Sequence, residues 1–87
     1  MAANHELGER LRKRLLAVEL TLQSEVYAMP EGEAWVVRAP RQMHSPDDLA
    51  AIVRAAGLMP TESFEGRKAG IPYVYCIFVE VATEVSK

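Results

Sequence analysis

At 87 residues the chain is the length of one domain, since a domain takes roughly 100–200 residues. A fold this small buries only about two-thirds of the surface its unfolded form exposes. Apolar residues make up 49 % and charged residues 25 %, a globular balance over residues 1–87 that excludes a disordered tail, a collagen-like repeat and a disulfide scaffold. Ten basic against twelve acidic residues leave a net charge of −2, so no overall positive field draws the chain to nucleic acid or an anionic membrane.

The first breaker after Gly8 is Pro30. Between them Leu7, Leu11, Leu15, Val18, Leu22 and Val26 fall within an arc of about 100° on one helix. The stretch from Val18 to Ala28 also alternates as a strand would, but Leu, Ala, Glu and Gln favour helix, and the spacing predicts one long helix over residues 5–28. Pro30-Glu31-Gly32-Glu33 reads as a turn, and Ala34 to Arg38 as a short strand of β-branched and aromatic residues. A loop, Ala39 to His44, follows.

Ser45-Pro46-Asp47-Asp48 is the clearest local signal. Serine caps free amides, proline suits the first helical position, and aspartates favour the positive helix end. Leu49, Ile52, Val53 and Ala56 supply an apolar face, and Gly57 with Pro60 beyond it stops the helix, predicted over 46–56. Thr61 to Phe64 reads as a short strand and Glu65 to Gly70 as a hairpin turn. Tyr73 to Ala82 reads as a long strand, with Tyr73, Tyr75, Ile77, Val79 and Val81 on one face and Val74, Cys76, Phe78 and Ala82 on the other. The fold class is α+β in the order α-β-α-β-β, with a long N-terminal helix, a second helix and a small, mostly antiparallel sheet.

A strand apolar on both faces needs cover on both faces. Two helices leave apolar surface over, including Leu16 and Leu20 off the main helical stripe, and surplus apolar surface marks an interaction site. A symmetric homodimer is the economical way to cover it, with Leu16, Leu20, Tyr73, Tyr75, Ile77 and Val79 as interface residues. The first expectation is therefore a non-enzymatic binding or regulatory protein that pairs with itself.

Two other constellations stand beside it. Arg10, Arg12, Lys13 and Arg14, with Arg67 and Lys68 at the hairpin tip, could follow a phosphate backbone. Glu6 and Glu9 lie four residues before Arg10 and Lys13, the spacing of solvated helix pairs. Arg38, Arg41, His44 and Ser45 gather before a helix N-terminus, where a phosphate or carboxylate could be held. Asp47 and Asp48 already occupy that first turn, and no glycine-rich phosphate loop is present.

The run Leu7-Gly8-Glu9-Arg10-Leu11-Arg12-Lys13 with Leu20-Thr21-Leu22-Gln23 resembles the opening of a helix-turn-helix repressor. Such a family would imply a recognition helix in a major groove. Here the matching positions run into Ser24 to Pro30 and then a strand, so no recognition helix follows. Tyr73 and Tyr75 resemble a stacking platform for bases, but Ile77 and Val79 continue that face without polar relief.

One cysteine, Cys76, makes no intramolecular disulfide, and no cysteine–histidine spacing suits a structural zinc site. Cys76 lies mid-strand, with neither His5 nor His44 spaced to activate it. No metal, cofactor or catalytic residue is expected. No signal core or membrane-length apolar run appears, and the expected setting is a reducing cytoplasm.

Overall fold

A computed structural model of the chain describes residues 2–30 and 32–80, with side chains from residue 6 onward. His5 as a side chain, Glu31, Val81 and Ala82 therefore lie outside the described residues. The elements are α1 (Ala2–Val18), β1 (Glu25–Ala28), β2 (Trp35–Pro40), α2 (Pro46–Ala55), β3 (Leu58–Lys68) and β4 (Ile71–Glu80). The fold is α+β with two helices and an antiparallel sheet, as the sequence implies; the sheet has four strands, β1 being additional to the expected three.

The predicted helix over 5–28 is divided. α1 stops at Val18, and the alternating stretch that competes with the helix reading supplies β1. The amides of Glu19 and Leu20 both donate to Leu15 O, at 3.2 and 3.1 Å, the second one residue wider than an α-helical bond. Leu20 thereby turns into the core at 5 % exposure. The reversal is then pinned from outside: Arg12 Nε donates to Ser24 O at 3.0 Å and Nη2 to Leu22 O at 2.7 Å, while the Thr21 amide donates to His44 Nε2. Helix propensity is a weak prior, and pairing of Val26 and Tyr27 with β2 overrides it.

The sheet order is β1-β2-β4-β3, antiparallel throughout. Because β4 lies between β2 and β3 and opposes both, β2 and β3 run parallel to each other. The unit β2-α2-β3 is thus a split β-α-β crossover. α2 follows its sequence signals: the Ser45 side chain accepts the Asp48 amide, Pro46 starts the helix, and Gly57 leaves it with φ 85°.

Trp35, Val37 and Ala39 of β2 pair with Phe78, Cys76 and Val74 of β4 on one face, and that face receives Leu11 and Leu15 of α1 and Leu49, Ile52 and Val53 of α2. Full burial of a side chain such as Phe78 or Leu49 contributes about 1.5–3 kcal/mol. Leu16 packs half-buried against the same core. Both helices sit on this side of the sheet.

β3 is longer than the expected 61–64 and carries a bulge between Pro60 and Glu62. The extra residue, Thr61, donates its hydroxyl to Ile77 O at 3.0 Å. Before the bulge Leu58 and Pro60 register with Glu80 and Phe78 on the helix side. After it Glu62, Phe64 and Gly66 register with Ile77, Tyr75 and Tyr73 on the other. The β3–β4 turn is only Ala69-Gly70, with φ 53° and 81°, the positive pair of a two-residue hairpin turn.

Candidate interaction site

With both helices on one side, no described element covers the opposite face of the sheet. Tyr73, Tyr75, Ile77 and Val79 of β4 stand there half-buried, as the strand alternation predicts. Sequence reasoning missed their neighbours. Val36 from β2, Tyr27 from β1, and Phe64 and Met59 from β3 share this face by register. Tyr27 and Phe64 are 40 % exposed and Met59 52 %. A period-two reading through Tyr27 would have found the first; the bulge hides the phase of Phe64.

The aromatics of this face pack on one another. The Tyr75 and Phe64 rings stack at 5.3 Å between centroids and 11° between planes, and Tyr73 meets Tyr75 edge-on at 6.5 Å. Tyr75 extends across Gly66, where a Cβ would come within 2.9 Å of its ring. Glycine is what allows that approach. The open face carries an ion pair of its own: Arg38 Nη2 donates to Glu25 Oε1 at 2.8 Å, and the guanidinium sits 4.6 Å over the Tyr73 ring. The Tyr27 hydroxyl is pushed above its ordinary pKa by burial, with the positive charge of Arg38 opposing.

Leu16 and Leu20, expected at the interface, lie elsewhere. Leu20 is a core residue because the chain reverses after Val18 instead of carrying it along an exposed helix, and Leu16, within α1, packs half-buried on the same core. Tyr73, Tyr75, Ile77 and Val79 are together on the open face.

The residues expected to hold an anion do not converge. Arg38 turns to the open face, and Arg41 Nε pairs with Glu65 Oε2 at 3.1 Å. His44 is buried, its Nε2 accepting from Thr21 and its Nδ1 side meeting the Asp48 carboxylate. Ser45 caps α2. The shallow hollow here, about 390 Å³, is edged by two carboxylates, Asp48 and Glu65, which oppose an anion.

The basic segment of α1 is partly engaged in folding. Arg12 binds the loop carbonyls of Leu22 and Ser24, and Arg14 Nη2 donates to Ala56 O at 2.8 Å, at the C-terminus of α2. Arg10 and Lys13 remain exposed on the helix. Arg67 and Lys68 belong to the end of β3, not the turn, and Arg67 Nη1 donates to Gly70 O at 2.8 Å.

Cys76 is fully buried, its thiol pushed up to about 11 by loss of solvent, with the positive charge of Arg54 opposing. A thiol so protonated is a poor nucleophile. Among the described residues no group of three or more His, Cys, Asp and Glu is placed to hold a metal. No described helix is long and apolar enough to cross a membrane. Comparison with protein-family models, with curated proteins and with solved structures finds no match for the chain.

Proposed function

We propose that this protein acts by association, as a homodimer closed over the open face of its sheet. The observation that carries the reading is the placement of both helices on one side, which leaves Tyr73, Tyr75, Ile77 and Val79 with Tyr27, Val36, Met59 and Phe64 facing outward. A two-fold interface sets a patch against itself. This patch is mainly apolar, and its one buried cation, Arg38, is matched by Glu25, so self-apposition brings no strong like-charge repulsion. Four strands spaced about 4.8 Å apart, with about 3.4 Å per residue along β3 and β4, span roughly 500 Å² in plan. That is of the order of the ~800 Å² of accessible surface each partner gives to a standard interface. The described site has no nucleophile–base arrangement, so binding, in a reducing cytoplasm that keeps Cys76 a thiol, is the role it supports.

A nucleic-acid role for Arg10 to Arg14 has less support, because Arg12 and Arg14 are tied to the chain's own carbonyls. Light scattering over a wide concentration range tests the dimer. The expected molar mass is about twice 9.7 kDa at low and high salt, as for an interface held by apolar burial. Ile77→Lys, which puts a charge at the centre of the face, shifts it to the monomer value. A wild-type mass of one chain at every concentration overturns the reading.

A further inference from the structure

The reversal between α1 and β1 is held by side chains. Residues 21–24 belong to no helix and no strand. The Thr21 amide donates to His44 Nε2 at 3.2 Å, and the Leu22 and Ser24 carbonyls receive Arg12 Nη2 and Nε at 2.7 and 3.0 Å. The two clasps differ in one respect. An arginine keeps its protons at every pH a protein meets, whereas the imidazole lone pair that receives the Thr21 amide is also the place a second proton takes.

The surroundings of His44 suit both forms of the ring. Its side chain is 7 % exposed, and its Nδ1 meets Asp48 Oδ2 of α2. With Nε2 accepting, Nδ1 carries the ring proton and donates it to Asp48. A second proton leaves that bond in place and turns Nε2 from acceptor into donor. The ring N–H and the Thr21 N–H then face each other.

The hollow beside the ring is edged by Arg41 of its own loop, Asp48 of α2 and Glu65 of β3. Arg41 and Glu65 neutralise one another at 3.1 Å, which leaves Asp48 as the counter-charge of an imidazolium. Asp47, the other acid in the first turn of α2, is exposed and outside that lining. From α1, Arg12 is engaged with the carbonyls of the reversal rather than the ring.

The closed reversal also carries an unmet polar group. Ser24 is 3 % exposed, and its hydroxyl is, among the described residues, the one buried side-chain polar atom without a hydrogen-bond partner. Opening the segment gives that hydroxyl water, which offsets part of what the broken bond loses.

We propose that His44 is a proton-operated latch: on acidification Nε2 takes a proton, the Thr21 bond breaks, and residues 21–24 open to solvent while α2 and the core stay in place. Leu20 behind the segment, in the core at 5 % exposure, and β1 ahead of it, paired with β2, set the limits of the opening. None of these groups belongs to the open face of the sheet, so the latch works in a single chain or in a pair.

The test follows the isotope-labelled full chain by NMR from about pH 8 to about pH 5. The His44 ring carbons report the proton, and the amides of residues 21–24 report the segment through their shifts and their protection from exchange. The expected result is one shared midpoint, with protection of the Thr21 amide falling about tenfold and the amides of Leu49 to Val53 unmoved. His44→Gln, whose amide oxygen reaches the place of Nε2 and takes no proton, keeps the segment closed at both ends of the range. Asp48→Asn removes the counter-charge and moves the midpoint to lower pH. The proposal is overturned if the Thr21 amide is unchanged while the ring takes up its proton, or if the ring takes up none before the whole fold unfolds. It is equally overturned if His44→Gln opens in acid as wild type does, or if Asp48→Asn leaves the midpoint where it was. Where a variant fails to fold, the wild-type titration decides alone.

Discussion

His44 Nε2 accepts the main-chain amide of Thr21 at 3.2 Å, across 23 residues of sequence. An acceptor at Nε2 requires the ring proton at Nδ1, where it faces Asp48 Oδ2. One buried imidazole thus joins the reversal after α1 to the first turn of α2. His44→Ala leaves the Thr21 amide without its partner, and the expected loss of stability is about 1–3 kcal/mol. Urea unfolding checks the size. Backbone resonances of residues 20–24 and 45–48 should move together, and movement confined to α2 would show that the ring does not hold the reversal.

Burial raises the Cys76 thiol from its ordinary 9.0 to about 11. A group whose folded pKa is raised favours the folded state through its protonated form. That contribution is complete below pH 9 and is lost as pH climbs from about 9 to about 11. A shift of this size corresponds to roughly 2–3 kcal/mol. Wild type should therefore lose stability more steeply than Cys76→Ala over this range, measured by urea unfolding at several pH values. In native buffer at neutral pH, iodoacetamide should label Cys76 only as fast as the chain opens.

Ala69 holds φ 53° in the two-residue turn between β3 and β4, in a region that costs a residue with a Cβ about 1–2 kcal/mol. Asparagine tolerates it and precedes glycine in the favoured hairpin turn. Ala69→Asn is expected to stabilise the chain by about 0.5–1 kcal/mol, seen as a higher urea midpoint at unchanged slope.

Gly66 and Tyr75 form a coupled pair. In wild type, Gly66→Ala forces the Tyr75 ring off its place against Phe64 and is destabilising. With Tyr75→Ala already present the same change fills open strand surface and becomes neutral or stabilising. The double-mutant cycle should give a coupling of about 0.5–3 kcal/mol; additivity would show that the ring yields freely.

The α+β class, α2 and the two faces of β4 were legible because their signals are local. Ser45, Pro46 and Gly57 punctuate α2, and alternation from Tyr73 to Val79 needs no knowledge of neighbours. The end of α1 was not, since no glycine or proline marks Val18. What stops the helix is distant: Arg12 holds Leu22 and Ser24, His44 holds Thr21, and β2 pairs with β1. Phe64 was hidden by Thr61, a bulge residue that the sequence reads as ordinary strand. The grouping of Arg38, Arg41 and His44 misled, because adjacency in a loop sets no direction for side chains, and here the three turn apart to Glu25, Glu65 and Thr21.

β4, the last described strand to be synthesised, is the central seam of the sheet. Until it emerges from the ribosome, β2 and β3 have no common neighbour, and Trp35, Val37 and Ala39 lack Phe78, Cys76 and Val74 beside them. The β1–β2 hairpin and both helices must wait for residues 71–80, with apolar faces bare in the meantime. Assembly of the sheet is therefore a late event in the life of the nascent chain, and truncation before β4 leaves fragments without a core.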